Sequence, residues 1–393
     1  MINRLAPERI EEMKMKIAII CDVLGKANNG TSLAAYNLIR SLEAKGHDVR
    51  VVCPDKDKIG QKNYYIVPEY YFGPFQRYIE KNGVAPAKVD KKILKSAIAD
   101  ADVIHVMIPF GLGKASEIYA SQHNLPLTAG FHCQAENITS HIFLKNSKFA
   151  NKVVYRILHR RLFRYCDCIH YPTQFICDVF EKVVGPTHHR VISNGVSNEF
   201  CPGVCEKKDD GVFTVVFVGR YSPEKSHDVL IDAVSKSKYK NSIQLVFAGT
   251  GPKREELKKQ AEKKGIIPPV MQFYDRDELA NLLRTADLYV HPAEIEIEAI
   301  SCLEAIATGK VPVIADSERS ATRNFALTPQ NLFRCGDPYD LAKKIDWWLD
   351  HPKEKEECSR RYLGFAEQFD FNRCMDQMEM MLKDTVESKK RES

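Results

Sequence analysis

The sequence predicts an α/β protein made of two doubly wound domains, each built on a parallel sheet. Short apolar runs alternate with helical patterns, and the same alternation restarts after a polar stretch at 201–211. A chain of 393 residues also exceeds what one hydrophobic core usually supports. Parallel strands joined by crossover helices produce this rhythm. Ligands of such sheets bind beyond the carboxyl ends of the strands, so functional residues are expected there.

Six apolar runs predict the strands of the first half. They lie at 16–23, 48–54, 102–109, 125–132, 168–173 and 190–196, and helical patterns separate most of them. Residues 1–13 precede the first strand pattern and are expected to be an exposed polar lead-in.

Five further runs predict the strands of the second half, at 213–220, 243–251, 271–275, 287–293 and 311–317. The stretch CPGVCEKKDDG at 201–211 breaks both periodicities and predicts the linker. The charged tail from Asp350 is expected to be helical, with methionines between Met375 and Met381 that pack on a domain surface. We therefore assign 14–203 to the first domain and 204–367 to the second, with helix 368–388 returning to the first.

Composition restricts the class of protein. Hydrophobic residues make up 44% and charged residues 28%, which is typical of a folded globular chain. No stretch approaches about 18 uncharged apolar residues, and the N-terminus carries acidic residues, so we expect neither a membrane span nor export. The 12 scattered cysteines indicate reduced thiols in a cytoplasmic protein. A net charge of +5 is too small to indicate nucleic-acid binding.

Charged residues follow two predicted strands of the second half. Arg220 and Lys225 lie in VGRYSPEKS, and two cations at a sheet edge can neutralise a diphosphate; alone, they are equally well explained as surface charges. Glu296 and Glu304 follow the fourth strand, where carboxylates can accept hydrogen bonds from sugar and ribose hydroxyls. The amides of Ala299 and Ile300 are expected to open a helix, which suits a phosphate.

These motifs resemble the family 4 retaining glycosyltransferases of the GT-B fold, which have two Rossmann-like domains facing across a cleft. The family signature is a Glu, seven residues and a second Glu, preceded by a G-R-x-x-x-x-K loop, and both are present in order. The segments GHDVRVV, ISNGV and AGTGP extend the resemblance over nearly the whole chain. It implies an acceptor-binding first domain and a second domain that binds a nucleotide sugar.

The resemblance also implies roles for individual residues. Arg220 and Lys225 resemble the diphosphate clamp, Glu296 the donor-sugar contact and Glu304 the ribose ligand. Tyr274 and Asp275, with Gly249 and Gly251 nearby, lie where the nucleobase is usually bound. The chemistry implied is departure of a nucleoside diphosphate with retention of configuration.

Residues of the first half are expected to face the transferred sugar. Gly30 begins a predicted helix after the first strand, and Asn29 stands where the family usually has another glycine. His132 ends a predicted strand at a position where the family often has a histidine near the reacting sugar, although a lone histidine is more often a packing residue. Glu136 and Asn137 follow as acceptor contacts or, more simply, as helix-capping residues.

A basic segment between 145 and 164 has seven Lys or Arg and no acidic residue. The cations recur at helical spacing, which predicts a basic amphipathic helix that lies on anionic lipid, with Phe149, Tyr155 and Phe163 at the membrane interface. The alternatives are a solvated helix face or a basic rim that attracts an anionic substrate. The proposed membrane residues are Lys145, Lys148, Lys152, Arg156, Arg160 and Arg164.

Bacterial glycolipid hexosyltransferases of the family are similar in having such a basic segment. The resemblance therefore implies a peripheral enzyme at the inner face of the cell membrane, moving glucose or galactose from a UDP-sugar to diacylglycerol or ceramide. A soluble transferase for a polysaccharide or small-molecule acceptor and a nucleotide-sugar epimerase are the alternatives.

No metal or other cofactor is expected. Three D-x-D pairs occur, at 55/57, 100/102 and 275/277, but capping or turn roles explain them more simply. With Arg220 and Lys225 available at the diphosphate, a divalent ion is unnecessary.

Overall fold

The structure is a computed structural model that describes residues 14–24, 30–71, 73, 86–140, 144, 146–203 and 211–392. The predicted lead-in at 1–13, Asn29, Lys145 and most of the linker lie outside these residues. Among the described residues, no helix is both long enough and apolar enough to cross a membrane.

The first domain is built on a seven-stranded parallel sheet with strand order β3-β2-β1-β4-β5-β6-β7. Its strands are β1 Lys16–Ile20, β2 Asp48–Cys53, β3 Tyr64–Ile66, β4 Val103–Val106, β5 Leu127–Gly130, β6 Cys168–Tyr171 and β7 His189–Val191. The helices are α1 Gly30–Ala44, α2 Lys91–Ile98, α3 Gly111–His123, α4 Ala135–Ser140, α5 Lys148–Arg161 and α6 Gln174–Val184. All six predicted strands are present, and β3 was not predicted because its three residues are only half-buried.

The second domain has a six-stranded parallel sheet with strand order β10-β9-β8-β11-β12-β13. Its strands are β8 Phe213–Val218, β9 Ile243–Ala248, β10 Val270–Gln272, β11 Leu288–His291, β12 Pro312–Asp316 and β13 Leu332–Arg334. The helices are α7 His227–Val234, α8 Arg254–Lys264, α9 Arg276–Thr285, α10 Ile300–Ala307, α11 Pro338–Asp350 and α12 Pro352–Ala366. The edge strand β13 is again an addition to the five predicted strands.

Both sheets are buried on both faces, which explains why their strands are continuous apolar runs. Ile17 and Val51 of the first sheet are fully buried, as are Val216 and Val290 of the second. The strands end where polar side chains begin, so the carboxyl edge of each sheet is left to the loops that carry the predicted site.

The last helix, α13 Phe371–Glu392, packs on the first domain. It contacts α1, and its buried Met375, Met378 and Met381 belong to the same core cluster as β1 and β2. The backbone amide of Val196 donates to the carbonyl of Phe369 over 2.8 Å just before this helix begins. The chain therefore passes between the domains twice, once through the linker and once at the entry to α13.

Candidate functional site

Glu296 is held between two basic side chains at the carboxyl edge of the second sheet. Its Oε1 accepts hydrogen bonds from Lys225 Nζ and from His291 Nε2, the latter over 3.1 Å. Burial opposes ionisation of Glu296, but Lys225 and His291 outweigh it and lower the pKa of the carboxyl to about 2. Glu296 is therefore a carboxylate at neutral pH, with only 12% of its side chain exposed.

The predicted cation loop lies beside this carboxylate because β8 and β11 are neighbours in the sheet. Arg220 lies two residues beyond the end of β8, and Lys225 ends the short 3-10 helix Pro223–Lys225. Ser301 Oγ, in the first turn of α10, donates to the carbonyl of Val218 over 3.2 Å and fixes α10 against the end of β8. The structure thus brings Arg220, Lys225 and Glu296 to one edge, as predicted from their order along the chain.

Gly249 and Gly251 are predicted to lie near the nucleobase. In the structure they also allow two loops to pack closely against each other. A Cβ on Gly249 would lie 2.2 Å from the carbonyl oxygen of Gly219, and a Cβ on Gly251 would lie 2.5 Å from the amide nitrogen of Tyr221. Both glycines let the loop after β9 pack directly on the loop that carries Arg220. Side chains at these positions would displace that loop.

Glu304 lies in α10 and is buried, with a guanidinium beside it. Arg276 Nη2 is 3.6 Å from Glu304 Oε1, and Arg276 Nε donates to Glu199 Oε1 over 2.7 Å. Burial raises the pKa of Glu304 to about 7, because Arg276 compensates only in part. Arg276 and Glu199 were missed from the sequence, since neither lies in a recognised motif.

The start of α10 has an unusual backbone. Ala299, the residue before the helix, has φ 61° and ψ 68°, a left-handed conformation that is unfavourable for alanine. Ile300 is the first helical residue, as expected from the sequence. Strained residues of this kind concentrate at ligand sites, which is consistent with the predicted phosphate position.

The predicted nucleobase residues lie in the loop after β10, beyond the end of the strand. Tyr274 is half-buried, whereas Asp275 is exposed and caps α9. The Asp275 side chain accepts from the Glu278 amide over 2.9 Å, and the Glu278 side chain accepts from the Asp275 amide over 3.0 Å. The Asp275 carboxylate thus has a structural role as a helix cap. Its contact with a nucleobase stays a prediction.

In the first domain, Gly30 begins α1, as predicted, and a Cβ there would meet nothing within 4 Å. His132 lies two residues beyond β5, so the strand is shorter than predicted. Its Nε2 is buried and has no hydrogen-bond partner, in a small cavity that is also lined by His105 and His170. Burial lowers the pKa of His132 well below its usual range. The structure therefore surrounds this ring with first-domain residues, and its catalytic role stays a prediction.

The two domains meet directly beside Glu296. The backbone carbonyl of Arg319 accepts from the amide of Glu296 over 3.3 Å and from Gln134 Nε2 of the first domain over 3.0 Å. Asn194 of the first domain donates from its amide to Glu298 over 3.2 Å. These interdomain contacts were not foreseen, because they join residues more than 100 positions apart along the chain.

The basic segment is largely helical, with Ser147 capping α5 through a 3.2 Å bond from the Ala150 amide. The predicted membrane residues within the described part of the chain are exposed, namely Lys148, Lys152, Arg156, Arg160 and Arg164. Phe149 is 76% exposed and agrees with the predicted interface. Tyr155 and Phe163 do not agree, since both are 2% exposed and pack into the first-domain core.

Glu136 has a structural role. It is buried in the first turn of α4 and accepts from Tyr155 Oη over 2.8 Å and from Asn151 Nδ2 over 3.2 Å. Its carboxylate therefore fastens α5 to α4, and a direct contact with the acceptor is not supported. Asn137, the other residue considered with it, accepts through its backbone carbonyl from Ser140 Oγ over 2.7 Å.

The D-x-D pairs have ordinary structural partners. Asp55 caps a 3-10 helix, Asp275 caps α9, and Asp100 pairs with Lys16 and Arg50. Among the described residues, one group combines three metal-binding side chains with ligand atoms within 4.8 Å of one another: Cys177, Glu181 and His189. Cys177 and Glu181 lie on α6 and His189 begins β7, with His189 Nδ1 2.9 Å from Glu181 Oε1. That the enzyme needs no metal stays a prediction.

A GT-B architecture consists of two Rossmann-like domains, each with a parallel sheet, that face each other. The chain therefore has the GT-B fold. Residues 28–200 match the family described as Glycosyltransferase Family 4, and residues 205–362 match Glycosyl transferases group 1. The two matches together span most of the chain, which is therefore a glycosyltransferase with these two domains in succession.

Curated relatives span most of the chain. The GDP-mannose-dependent alpha-mannosyltransferase of Corynebacterium glutamicum is 26% identical over 374 residues, covering 89% of this chain and 84% of the relative. The alpha-monoglucosyldiacylglycerol synthase of Streptococcus pneumoniae is 24% identical over 321 residues, covering 77% of this chain and 71% of the relative.

Among solved structures, Anabaena Alr3699/HepE in complex with UDP and glucose has a TM-score of 0.74 at 16% identity, covering 94% of this chain and 99% of that chain. This likeness supports the fold alone. The catalytic domain of cholesterol-alpha-glucosyltransferase from Helicobacter pylori is 46% identical, covering 40% of this chain and 98% of that chain, with a TM-score of 0.39.

Proposed function

We propose that this glycosyltransferase moves glucose or galactose from a UDP-sugar to a hydroxyl group of a membrane lipid such as diacylglycerol or ceramide, with retention of configuration. The observation that carries the proposal is the cluster of Glu296, Lys225 and His291 at the carboxyl edge of the second sheet. An ionised carboxylate beside a cation can hold sugar hydroxyls and diphosphate oxygens at the same edge.

The leaving diphosphate gains negative charge as its bond to the sugar breaks. Lys225 has three N–H donors, so it can keep its bond to Glu296 and also reach a phosphate oxygen. Arg220 leaves the neighbouring strand and adds a second cation at the same position. Cations fixed at the leaving group stabilise the transition state more than the bound substrate, which is what accelerates transfer.

Glu304 is proposed to hold the ribose. Its raised pKa leaves the carboxyl partly protonated near pH 7, so it can both accept from and donate to a diol. Arg276 lies beside Glu304, and its positive charge stabilises the ionised form of this carboxyl, so that part of it stays ionised. We further propose that no divalent ion is needed, so that transfer continues in the presence of EDTA.

The lipid acceptor is supported by two independent observations. A relative that spans 77% of this chain is named alpha-monoglucosyldiacylglycerol synthase. The cationic residues of α5 are exposed along successive turns, which suits an anionic membrane surface. We therefore propose a peripheral cytoplasmic enzyme at the inner face of the cell membrane.

A second candidate has a different donor. The relative that spans 89% of this chain is named as GDP-mannose-dependent, so mannose transfer from GDP-mannose is the alternative. The two candidates share the diphosphate clamp and differ in the nucleobase and in the sugar: mannose differs from glucose in the configuration at C2, and from galactose at C2 and C4.

The test is an incubation with UDP-glucose, UDP-galactose or GDP-mannose, each with a total lipid extract or with water-soluble saccharide acceptors, followed by mass spectrometry of the products. We expect a hexosylated lipid from a UDP-sugar. A product formed only from GDP-mannose supports the second candidate, and one formed only on soluble acceptors refutes the lipid proposal. Isomerised donor without transfer would indicate an epimerase.

A further inference from the structure

An apolar pocket of about 310 Å³ lies in the first domain, between α5 and the loop after β4. We propose that this pocket holds the apolar body of the lipid acceptor while the acceptor hydroxyl is directed to the donor. This inference rests on the proposed lipid glycosylation and adds the site at which the acceptor binds. The lining residues are Pro109, Phe110, Gly111, Ile138, Val154, Ile157, Leu158 and Arg161.

The pocket lies at the edge of the sheet where ligands are expected. Pro109, Phe110 and Gly111 follow β4, so they form the carboxyl end of a central strand of the first sheet. Ligands of doubly wound sheets bind at this edge. The pocket is thus on the side of the first domain that carries the cleft.

A short chain of contacts joins the pocket to the donor cluster. Ile138 belongs to α4, which begins one residue after Gln134. Gln134 Nε2 donates to the carbonyl of Arg319, and the same carbonyl accepts from the amide of Glu296. One wall of the pocket is therefore tied, through α4 and a single shared carbonyl, to the residue proposed to bind the sugar.

On its outer side, the pocket continues into an exposed apolar strip. Phe149, Val153 and Ile157 are spaced four residues apart on α5 and so share one face of the helix. Phe149 is 76% and Ile157 is 47% exposed, and Ile157 also lines the pocket. A lipid that enters from the bilayer therefore meets apolar surface throughout.

Charge around the strip favours a membrane as the source of the occupant. Lys148, Lys152, Arg156 and Arg160 run along α5 next to the strip, at the same four-residue spacing. Exposed cations beside exposed apolar residues match the headgroup and acyl layers of an anionic bilayer.

The lining excludes a saccharide as the occupant. Arg161 is the one charged residue among the described lining residues, and no other lining side chain can donate or accept a hydrogen bond. A sugar in such a pocket would leave its hydroxyl groups without partners, which is costly. The apolar body of a lipid needs no such partners, because its hydroxyl is directed to the donor outside the pocket.

The test that does not depend on catalysis is photolabelling of the full-length protein with octadecanol that carries a diazirine in its chain, in neutral detergent micelles. We expect mass spectrometry to find the label on peptides that contain Pro109 to Gly111 and Ile138. Label confined to the exposed face of α5, or found elsewhere, overturns the pocket assignment.

A matched pair of variants sharpens this test. Ile157→Trp fills the pocket mouth, whereas Ile118→Trp makes the same change on α3 at a position with similar exposure, 45% against 47%, outside the pocket. Because exclusion of two methylene groups already corresponds to roughly a factor of ten, we expect Ile157→Trp to lower pocket labelling by about tenfold. Equal labelling of the two variants would contradict the proposal.

Kinetics with the lipid that the wild-type protein glycosylates separate the two proposals. Ile157→Trp should raise KM for that lipid about tenfold, whereas Ile118→Trp, outside the pocket, should leave that KM unchanged. A wild-type protein that labels in the pocket but glycosylates no lipid refutes the proposed function alone. One that glycosylates lipid with equal KM in both variants refutes the pocket alone.

Discussion

Three glutamates alternate in the stretch after β11, and each has its own environment. Glu294 pairs with Arg319, Glu296 with Lys225 and His291, and Glu298 with Asn194 of the first domain. In a regular strand, side chains two residues apart would share one face, so the different partners of these glutamates show that the stretch after β11 is not a regular strand. Of the three, Glu296 is the one that pairs with a lysine, and it is the one that we propose binds the donor sugar.

Replacement of Glu296 by Gln should abolish most of the transfer activity. The amide keeps the shape of the side chain but removes the charge that Lys225 and His291 stabilise, and we expect a loss of roughly 100-fold or more in kcat. Far-UV circular dichroism should match the wild-type protein. The control is Glu318→Gln, an exposed glutamate on a nearby loop. Wild-type turnover in Glu296→Gln would refute the site.

At the scale of single elements, α5 and α13 differ in charge and in surroundings, because α5 has basic but no acidic residues and α13 has both. The cations of α5 stand on an exposed face, whereas the methionines of α13 are buried against α1 and the first sheet. Helical periodicity revealed the basic stripe of α5. It could not reveal that Tyr155 turns inward to Glu136, since that depends on the helix beneath.

Charge reversal on α5 should weaken membrane binding. Each cation near an anionic surface contributes roughly 1 kcal/mol, so Lys152→Glu with Arg156→Glu should lower the affinity for phosphatidylglycerol vesicles by well over about tenfold. Lys91→Glu with Lys95→Glu is the matched control, because these exposed residues have the same spacing on α2. Vesicle co-sedimentation measures both, and equal binding would exclude α5 as the membrane face.

Truncation of a buried methionine in α13 should destabilise the first domain. Met378 is 2% exposed, so Met378→Ala leaves a cavity and should lower the free energy of unfolding by about 2–5 kcal/mol. Met380 is 58% exposed on the same helix, and Met380→Ala should change it by less than about 0.5 kcal/mol. Urea denaturation compares them; similar values would mean that α13 does not pack on the domain as described.

At the scale of the whole molecule, buried polar bonds join the domains close to the site. Glu298 accepts from Asn194, and Gln134 donates to the same carbonyl that Glu296 uses. Burial raises the pKa of Glu298 to about 7, and hydrogen bonds from Ser193 and Asn194 compensate only in part. The folded protein therefore holds a proton on Glu298 that the unfolded chain releases at lower pH.

This linkage predicts a pH dependence of stability. A raised folded-state pKa contributes stability below the unfolded value near 4.5, and that contribution is lost as the pH rises through about 7. Between pH 5.5 and pH 8, Glu298 should account for about 2 kcal/mol of lost stability. Urea denaturation at both pH values should show a smaller decline for Glu298→Gln than for the wild-type protein. Identical declines would contradict the shifted pKa.

The sequence by itself determined the two-domain parallel α/β architecture. It also determined that the charged residues of the candidate site follow strands of the second sheet. Apolar strand runs are local patterns, and neighbouring parallel strands necessarily bring Arg220, Lys225 and Glu296 to one edge. Short or half-buried strands such as β3 and β13 carry too little apolar pattern to be recognised.

Only the tertiary structure decided which partners each polar side chain has. Arg276 came next to Glu304, and Asn194 next to Glu298, through contacts between elements distant in the sequence. The inward turn of Tyr155 and the histidine surroundings of His132 arose in the same way. Spacing along one element constrains the face on which a side chain lies, but burial and pKa depend on what packs against that face.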